Sequence, residues 1–413
     1  MRWPNMIPDH SAILYLSLVR PDHTNVYRVS VSLQSPICPE TLQRAADRIH
    51  SRFPSIIAGF HPGVFHYSVI PAKAAPTVME DPGPLTTMSR HEIETCAYRI
   101  LYSENTISIE VFHALTDGYG AFTSFRTLLA EYLFLLNGIE TPERKFFMED
   151  QPLPLSEELE DVYPMFCNGV PSKLPSRYAY QLPRLNHDGV TDHDITVSRR
   201  YYSTEQVLTA AQSHGVSLTA LLSCIMAESI MEIQQKQSTL PQQPVSIMVP
   251  VDLRRHYPSR TLRNFILYAL PSLFPGDMSL SPEDRLCNIH RQLKDQTSKE
   301  ALSSRVTYNV QAQSSRFFRI IPRVLKCFSM RLAYRFFGES NSSITMTNMG
   351  MVPFSDELLQ HLDHLCFMLT PRRQSPYNCA ICSMGSSTCI TLTRFGSSLG
   401  LEASFFRKLD EYL

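Results

Sequence analysis

His113-Ala-Leu-Thr-Asp117-Gly118 is the part of the chain best equipped for chemistry. Imidazole is the side chain suited to taking a proton near neutral pH. A carboxylate four residues on can lock the turn through an arginine or backbone amides, and glycine lets the chain bend tightly into the next element. A satisfied core histidine beside an Asp-Gly turn would leave the same three residues. Other patterns carry less. Cys379 and Cys382 form a C-x-x-C, but no second pair accompanies it. On a strand, positions three apart face opposite sides, so no metal is expected there. Gly396-Ser-Ser398-Leu-Gly400 fits the pattern of a serine hydrolase, which needs a histidine later in the chain. The last histidine is His364, so that reading is rejected.

The elements around His113 give the triplet a setting. Tyr98 to Tyr102 leads through Ser103-Glu-Asn105 into a run from Thr106 to Phe112. There Ile107, Ile109 and Val111 alternate with Ser108 and Glu110. After Gly118 the period changes from two to 3.6, with Ala121, Phe122, Phe125, Leu128, Leu129, Tyr132 and Leu133 on one stripe. The histidine therefore sits on a strand-to-helix turn at the edge of a core. Upstream, the sequence predicts an extended segment over 12–18, a strand over 27–33, a helix over 39–53 and a hairpin over 55–70. Downstream, a strand over 194–202 ends at Ser203, which with Gln206 matches a capping box. Ser217 caps a helix over 218–234. A strand over 245–251, an apolar run over 265–273 and helical stretches over 282–313 and 316–337 come next. Strands over 343–347, 365–369, 380–384 and 388–395 and a helix over 402–412 end the chain.

The 413 residues suit two domains or one fold of two lobes. A Pro-rich, acidic stretch over 138–190 reads as a crossover, dividing an N-terminal lobe (1–185) from a C-terminal lobe (186–413). Apolar residues make up 43% of the chain, enough for a sizeable core. Lys plus Arg (38) and Asp plus Glu (39) nearly cancel, which favours neither nucleic acid nor an anionic membrane surface as partner. No secretory signal or spanning segment is visible, so a cytoplasmic protein without stable membrane insertion is expected.

His113-Ala-Leu-Thr-Asp117-Gly118 resembles the active-site motif of the CoA-dependent acyltransferase superfamily, and the whole chain looks most like its alcohol acetyltransferase family. Three stretches in the expected order support this. Ser246 to Arg255 with Thr261-Leu-Arg-Asn-Phe265 is similar to a segment at the lobe interface. Ser343 to Gly350 looks like the family's Ser/Thr-Asn-x-Gly strand, and Thr391 to Phe395 with Phe405-Phe406 resembles its closing strand and helix.

The resemblance implies an α/β fold of two similar lobes, of chloramphenicol-acetyltransferase-like type, with mixed sheets, flanking helices and an active-site tunnel between lobes. It implies that His113 takes the proton from an alcohol or amine acceptor, which attacks the thioester of acyl-CoA, most simply acetyl-CoA. CoA thiolate leaves without an acyl-enzyme, so no nucleophilic serine or cysteine is required; acyl-CoA is a co-substrate, and no bound cofactor or metal is expected. Asp117 is structural there, paired with an arginine, for which Arg254, Arg255 and Arg263 are candidates. The cluster Arg254, Arg255, Arg260 and Arg263 reads either as a clamp for CoA phosphates or as a solvated loop with one buried arginine. Thr345, Thr347 and Asn348 read either as oxyanion donors or as sheet residues. Two other functions share the fold: condensation on a carrier-protein-bound acyl donor, and an inactive binding protein.

Overall fold

The structure is a computed structural model that describes residues 6–20, 24–173, 178–183, 195–237, 241–314, 320–337, 341–372 and 375–413. It is built around two sheets. In the first, Thr106–Phe112 lies between Val26–Leu33 and Tyr98–Ser103, antiparallel to both. Met79–Glu80 extends one edge in parallel. On the other edge, Leu362–Leu369 pairs antiparallel with Val26–Leu33. The first sheet thus takes a strand from far beyond the expected division at 185/186. A lobe defined by chain order and a sheet defined by hydrogen bonds do not coincide here.

Both faces of Thr106–Phe112 are buried, for different reasons. Ile107, Ile109 and Val111 pack in a core with the helices Pro39–Ile49 and Gly118–Asn137. On the opposite face, Glu110 is enclosed with two arginines. It accepts from Arg28 at 2.6 Å and from Arg99 at 2.7 Å. A carboxylate so far from water is tolerable only when paired in this way.

The second sheet is mixed, running Ser272–Leu273, Val245–Asp252, Ile344–Met351, Tyr377–Met384, Ser387–Phe395 and Ile195–Ser203, with Ile266–Ala269 also on Val245–Asp252. One of its faces packs on the buried helix Leu218–Gln237 and on Pro282–Gln296 and Leu401–Asp410. Its other face meets the first core, to which Ala380, Cys382 and Met384 belong. Cys379 lies in the second core and Cys382 in the first, so the C-x-x-C points to opposite sides of its strand.

Three local expectations differ. The segment expected as extended over 12–18 is the helix Ala12–Ser17. A short apolar run supports either state, and here Asp9 accepts from the Ala12 amide at 2.8 Å, opening a helix. The run over 265–273 splits into two short strands around Pro271, which lacks a ladder donor. The stretch over 282–313 is two helices, Pro282–Gln296 and Lys299–Ser314, with Ser298 accepting from the Ala301 amide at the break. Of the stretch expected over 316–337, positions 316–319 lie outside the described residues, and the remainder holds the helix Arg323–Phe337.

Candidate functional site

The turn that carries His113 is held from below by Tyr27. Its hydroxyl donates to the carbonyls of Thr116 (3.0 Å) and Asp117 (3.2 Å). The His113 amide continues the sheet by donating to Asn25 O at 2.8 Å. The change of period read in the sequence falls at Asp117, which caps Gly118–Asn137. One carboxylate oxygen accepts from the amides of Tyr119 (3.1 Å) and Gly120 (3.4 Å). The other accepts from Arg254 and from the Phe265 amide, both at 2.8 Å. Asp117 is thus fully engaged in joining the turn to the segment 254–265 of the other half of the chain.

Arg254 is the arginine that meets Asp117. It also donates to Asp252, Thr261 O and Arg263 O, so every N–H of its guanidinium is taken. Arg263 is likewise turned inward, donating to Leu159 O and Ile7 O and facing Asp9 at 3.8 Å. These two were expected among the phosphate-binding residues. Their donors already serve carbonyls and carboxylates, which corrects that expectation. Arg255 and Arg260 are exposed, Arg260 with only a 3.9 Å contact to Glu157. Of the cluster, these two could hold an anion.

The glycines also divide. Gly118 lies outside the left-handed region, and its missing Cβ makes room for the Met349 thioether. Gly120 is the more demanding position, because a Cβ there would stand 2.3 Å from the Leu262 carbonyl.

His113 itself is partly buried. Its ring stacks on Tyr15, with centroids 4.3 Å apart and planes 16° apart, and meets Tyr27 edge-on at 5.0 Å. Its Nδ1 lies 3.2 Å from Asn264 Oδ1. The proton on this bond can be placed. Asn264 Nδ2 faces Asp9 Oδ2 at 3.2 Å and Ala114 O at 3.4 Å, both acceptors only. The amide nitrogen must therefore point that way, and Oδ1 towards the histidine. Since Oδ1 can only accept, Nδ1 carries the hydrogen and Nε2 keeps its lone pair. The Tyr15 hydroxyl lies 3.4 Å from Nε2. Burial pushes the imidazole below its ordinary pKa, against the opposing influence of Asp117 and Asn264, so the neutral ring is favoured.

Asp9 anchors this chain of contacts. It is fully buried, with its carboxyl pushed up to about 6 by desolvation, and Arg263 pulls in the other direction. None of Asp9, Tyr15, Tyr27 and Asn264 stands out in the sequence. Asn264 does lie within the segment Thr261 to Phe265 that the family resemblance singled out.

The oxyanion candidates separate by strand parity. Thr345 and Thr347 pair with Asn378 and Ala380 and share the face of Met349 that packs on the first core. Asn348 points the other way. It donates to Thr219 Oγ1 at 3.0 Å and accepts from the Gly350 amide at 2.9 Å. That correction leaves the two threonines.

No family model and no curated protein matches the chain. Solved structures do. TRI101 of F. sporotrichioides, complexed with coenzyme A and T-2, is similar over 99% of this chain and 97% of its own, with a TM-score of 0.65 and 12% identity. Polyketide synthase associated protein 5 from Mycobacterium tuberculosis gives 0.61 and 14%, over 99% of this chain and 98% of its own. The epimerization domain from the third module of tyrocidine synthetase B gives 0.58 and 10%, over 99% and 95%. The chain has the fold of the CoA-dependent acyltransferase superfamily, the chloramphenicol-acetyltransferase-like α/β fold that its motifs resemble.

Proposed function

We propose that this chain moves an acyl group from acyl-CoA, acetyl-CoA being the simplest donor, to an alcohol or amine, with Nε2 of His113 as the general base. The observation that carries the reading is the polarity of the Asp9–Asn264–His113 chain, which fixes the proton on Nδ1 and leaves Nε2 basic. An acceptor hydroxyl or amine beside Nε2 gives up its proton as its oxygen or nitrogen bonds to the thioester carbon. The tetrahedral oxyanion then collapses, breaking the C–S bond. CoA leaves as thiolate and takes the proton from the imidazolium, restoring the base. Thr345 and Thr347 are the hydroxyls offered for the oxyanion, and Asp117 acts only by shaping the turn. Arg255 and Arg260, the exposed members of the cluster, are the arginines offered for the phosphates of CoA. The likeness to the coenzyme A complex supports a CoA donor, and oxygen as the acceptor atom follows from the resemblance to alcohol acetyltransferases.

The test is thiol release from acetyl-CoA and longer acyl-CoAs with a panel of alcohols and amines. Release that requires an acceptor supports the reading, and the active acceptors define the substrate class. No release from any acyl-CoA, together with transfer from an acyl group on a phosphopantetheinylated carrier, would replace the donor by a carrier protein.

A further inference from the structure

Surface helices of globular proteins ordinarily turn their apolar stripe inward and their charges to water. The helix Arg323–Phe337 instead leaves an apolar stripe in water. Val324, Phe328, Leu332 and Leu325 fall within about 100° of arc on a helix of 3.6 residues per turn. They are 67, 65, 47 and 57% exposed. Among the described side chains, the opposite side mixes the half-buried Cys327, Met330 and Tyr334 with Arg323 and Lys326, which bond to backbone carbonyls. Arg323 donates to Gly63 O at 2.9 Å and Lys326 to Phe65 O at 3.0 Å. Arg331 donates to Ser17 O at 2.5 Å and Val19 O at 3.2 Å. The hairpin turn gripped by Arg323 and Lys326 adds Val64 and Phe65, 73 and 47% exposed, beside the stripe. Scattered exposed apolar residues are ordinary, but a contiguous stripe held outward by Arg323 and Lys326 and edged by the exposed Arg331 is not.

We infer that the helix Arg323–Phe337, with the turn at Val64 and Phe65, seats this protein on an anionic lipid surface. Charge selects this occupant. Residues 306–338 contain six Lys and Arg and no Asp or Glu, although the whole chain carries a net charge of only −1. A second copy of the chain on the same face would bring like charges together, whereas acidic headgroups match them. The 15-residue helix is about 22 Å long, too short to span and suited to lying flat at the interface. Position gives the surface a use. Arg331 ties this helix to the helix Ala12–Ser17 that carries Tyr15 against His113, so docking would bring the lipid surface to the side of the molecule that holds the base. That use rests on the proposed acyl transfer; the docking itself does not.

The experiment is flotation of the full chain with vesicles of phosphatidylcholine alone or with about 30% phosphatidylserine, with and without about 0.5 M NaCl. The full chain should float with the anionic vesicles and be released by salt. The Val324→Ser/Phe328→Ser variant should bind at least about tenfold more weakly, since both side chains lose their apolar contact with lipid. Its melting temperature should not change, because both already face water. A full chain that stays with neither vesicle overturns the inference, as does a variant that floats equally well. A dimer in lipid-free solution that the variant dissolves would overturn it in favour of self-association.

Discussion

Two arginine-rich segments look alike in the sequence and behave differently in space. In 254–263, two arginines turn inward to a carboxylate and to carbonyls, and two stay outside. In Arg323–Phe337, the cations grip carbonyls of two neighbouring segments and leave an apolar stripe in water. Arginine density therefore marks seams where carbonyls need donors as readily as it marks anion sites. Only the side chains left over after the seams are satisfied can meet a ligand. In the first segment those are charges; in the second they are an apolar stripe with the exposed Arg331 at its edge.

The largest effect should come from the inward member of the first segment. Arg254→Ala leaves Asp117 buried without its cation and should cost about 3–5 kcal/mol in denaturant unfolding. A loss below about 1 kcal/mol would mean the pair is dispensable to the fold.

Asn264→Ala should reduce kcat/KM about tenfold, the equivalent of one hydrogen bond of roughly 1.4 kcal/mol holding the ring. Folding should lose about 1–3 kcal/mol, because buried Asp9 and Ala114 O lose a donor, so the rate is read at its plateau where the variant is fully folded. An unchanged plateau would remove Asn264 from the positioning chain.

The smallest effect should be at the outward arginines. Arg255→Glu and Arg260→Glu together should raise the donor's KM roughly fivefold with little change in kcat, as exposed charges contribute modestly. Unchanged donor kinetics would make 254–263 a seam alone.

The pH profile follows from burial. His113 must be neutral to act, and burial lowers its pKa. The rate should therefore be at its plateau near neutral pH and fall as acid protonates the ring, with the midpoint below 6.5, the ordinary histidine value. A midpoint above it would contradict the desolvated base.

The strand-to-helix turn was legible because its signals are local. A change from a two-residue to a 3.6-residue period, with Asp117 as cap, needs no distant partner. The positioning chain was not. Asn264 lies 151 residues from His113, and Asp9 lies 255 from Asn264, so no spacing rule could join them. Tyr15 was hidden differently, because its apolar run reads equally well as a strand until Asp9 is seen to hold the Ala12 amide. The split among the four arginines was illegible too, since which carbonyls lack donors is known only once the two halves of the chain have packed. The whole-chain charge balance, which favoured no anionic membrane surface, averages over the run of cations in 306–338 on which the proposed lipid docking rests.

The most direct test of the central claim is acceptor-dependent thiol release by His113→Ala beside the unaltered chain, using the best acceptor from the panel. Loss of the base should lower kcat at least about 100-fold with the fold intact by circular dichroism. A variant that keeps its rate within a few-fold would contradict the assignment of His113 as the base.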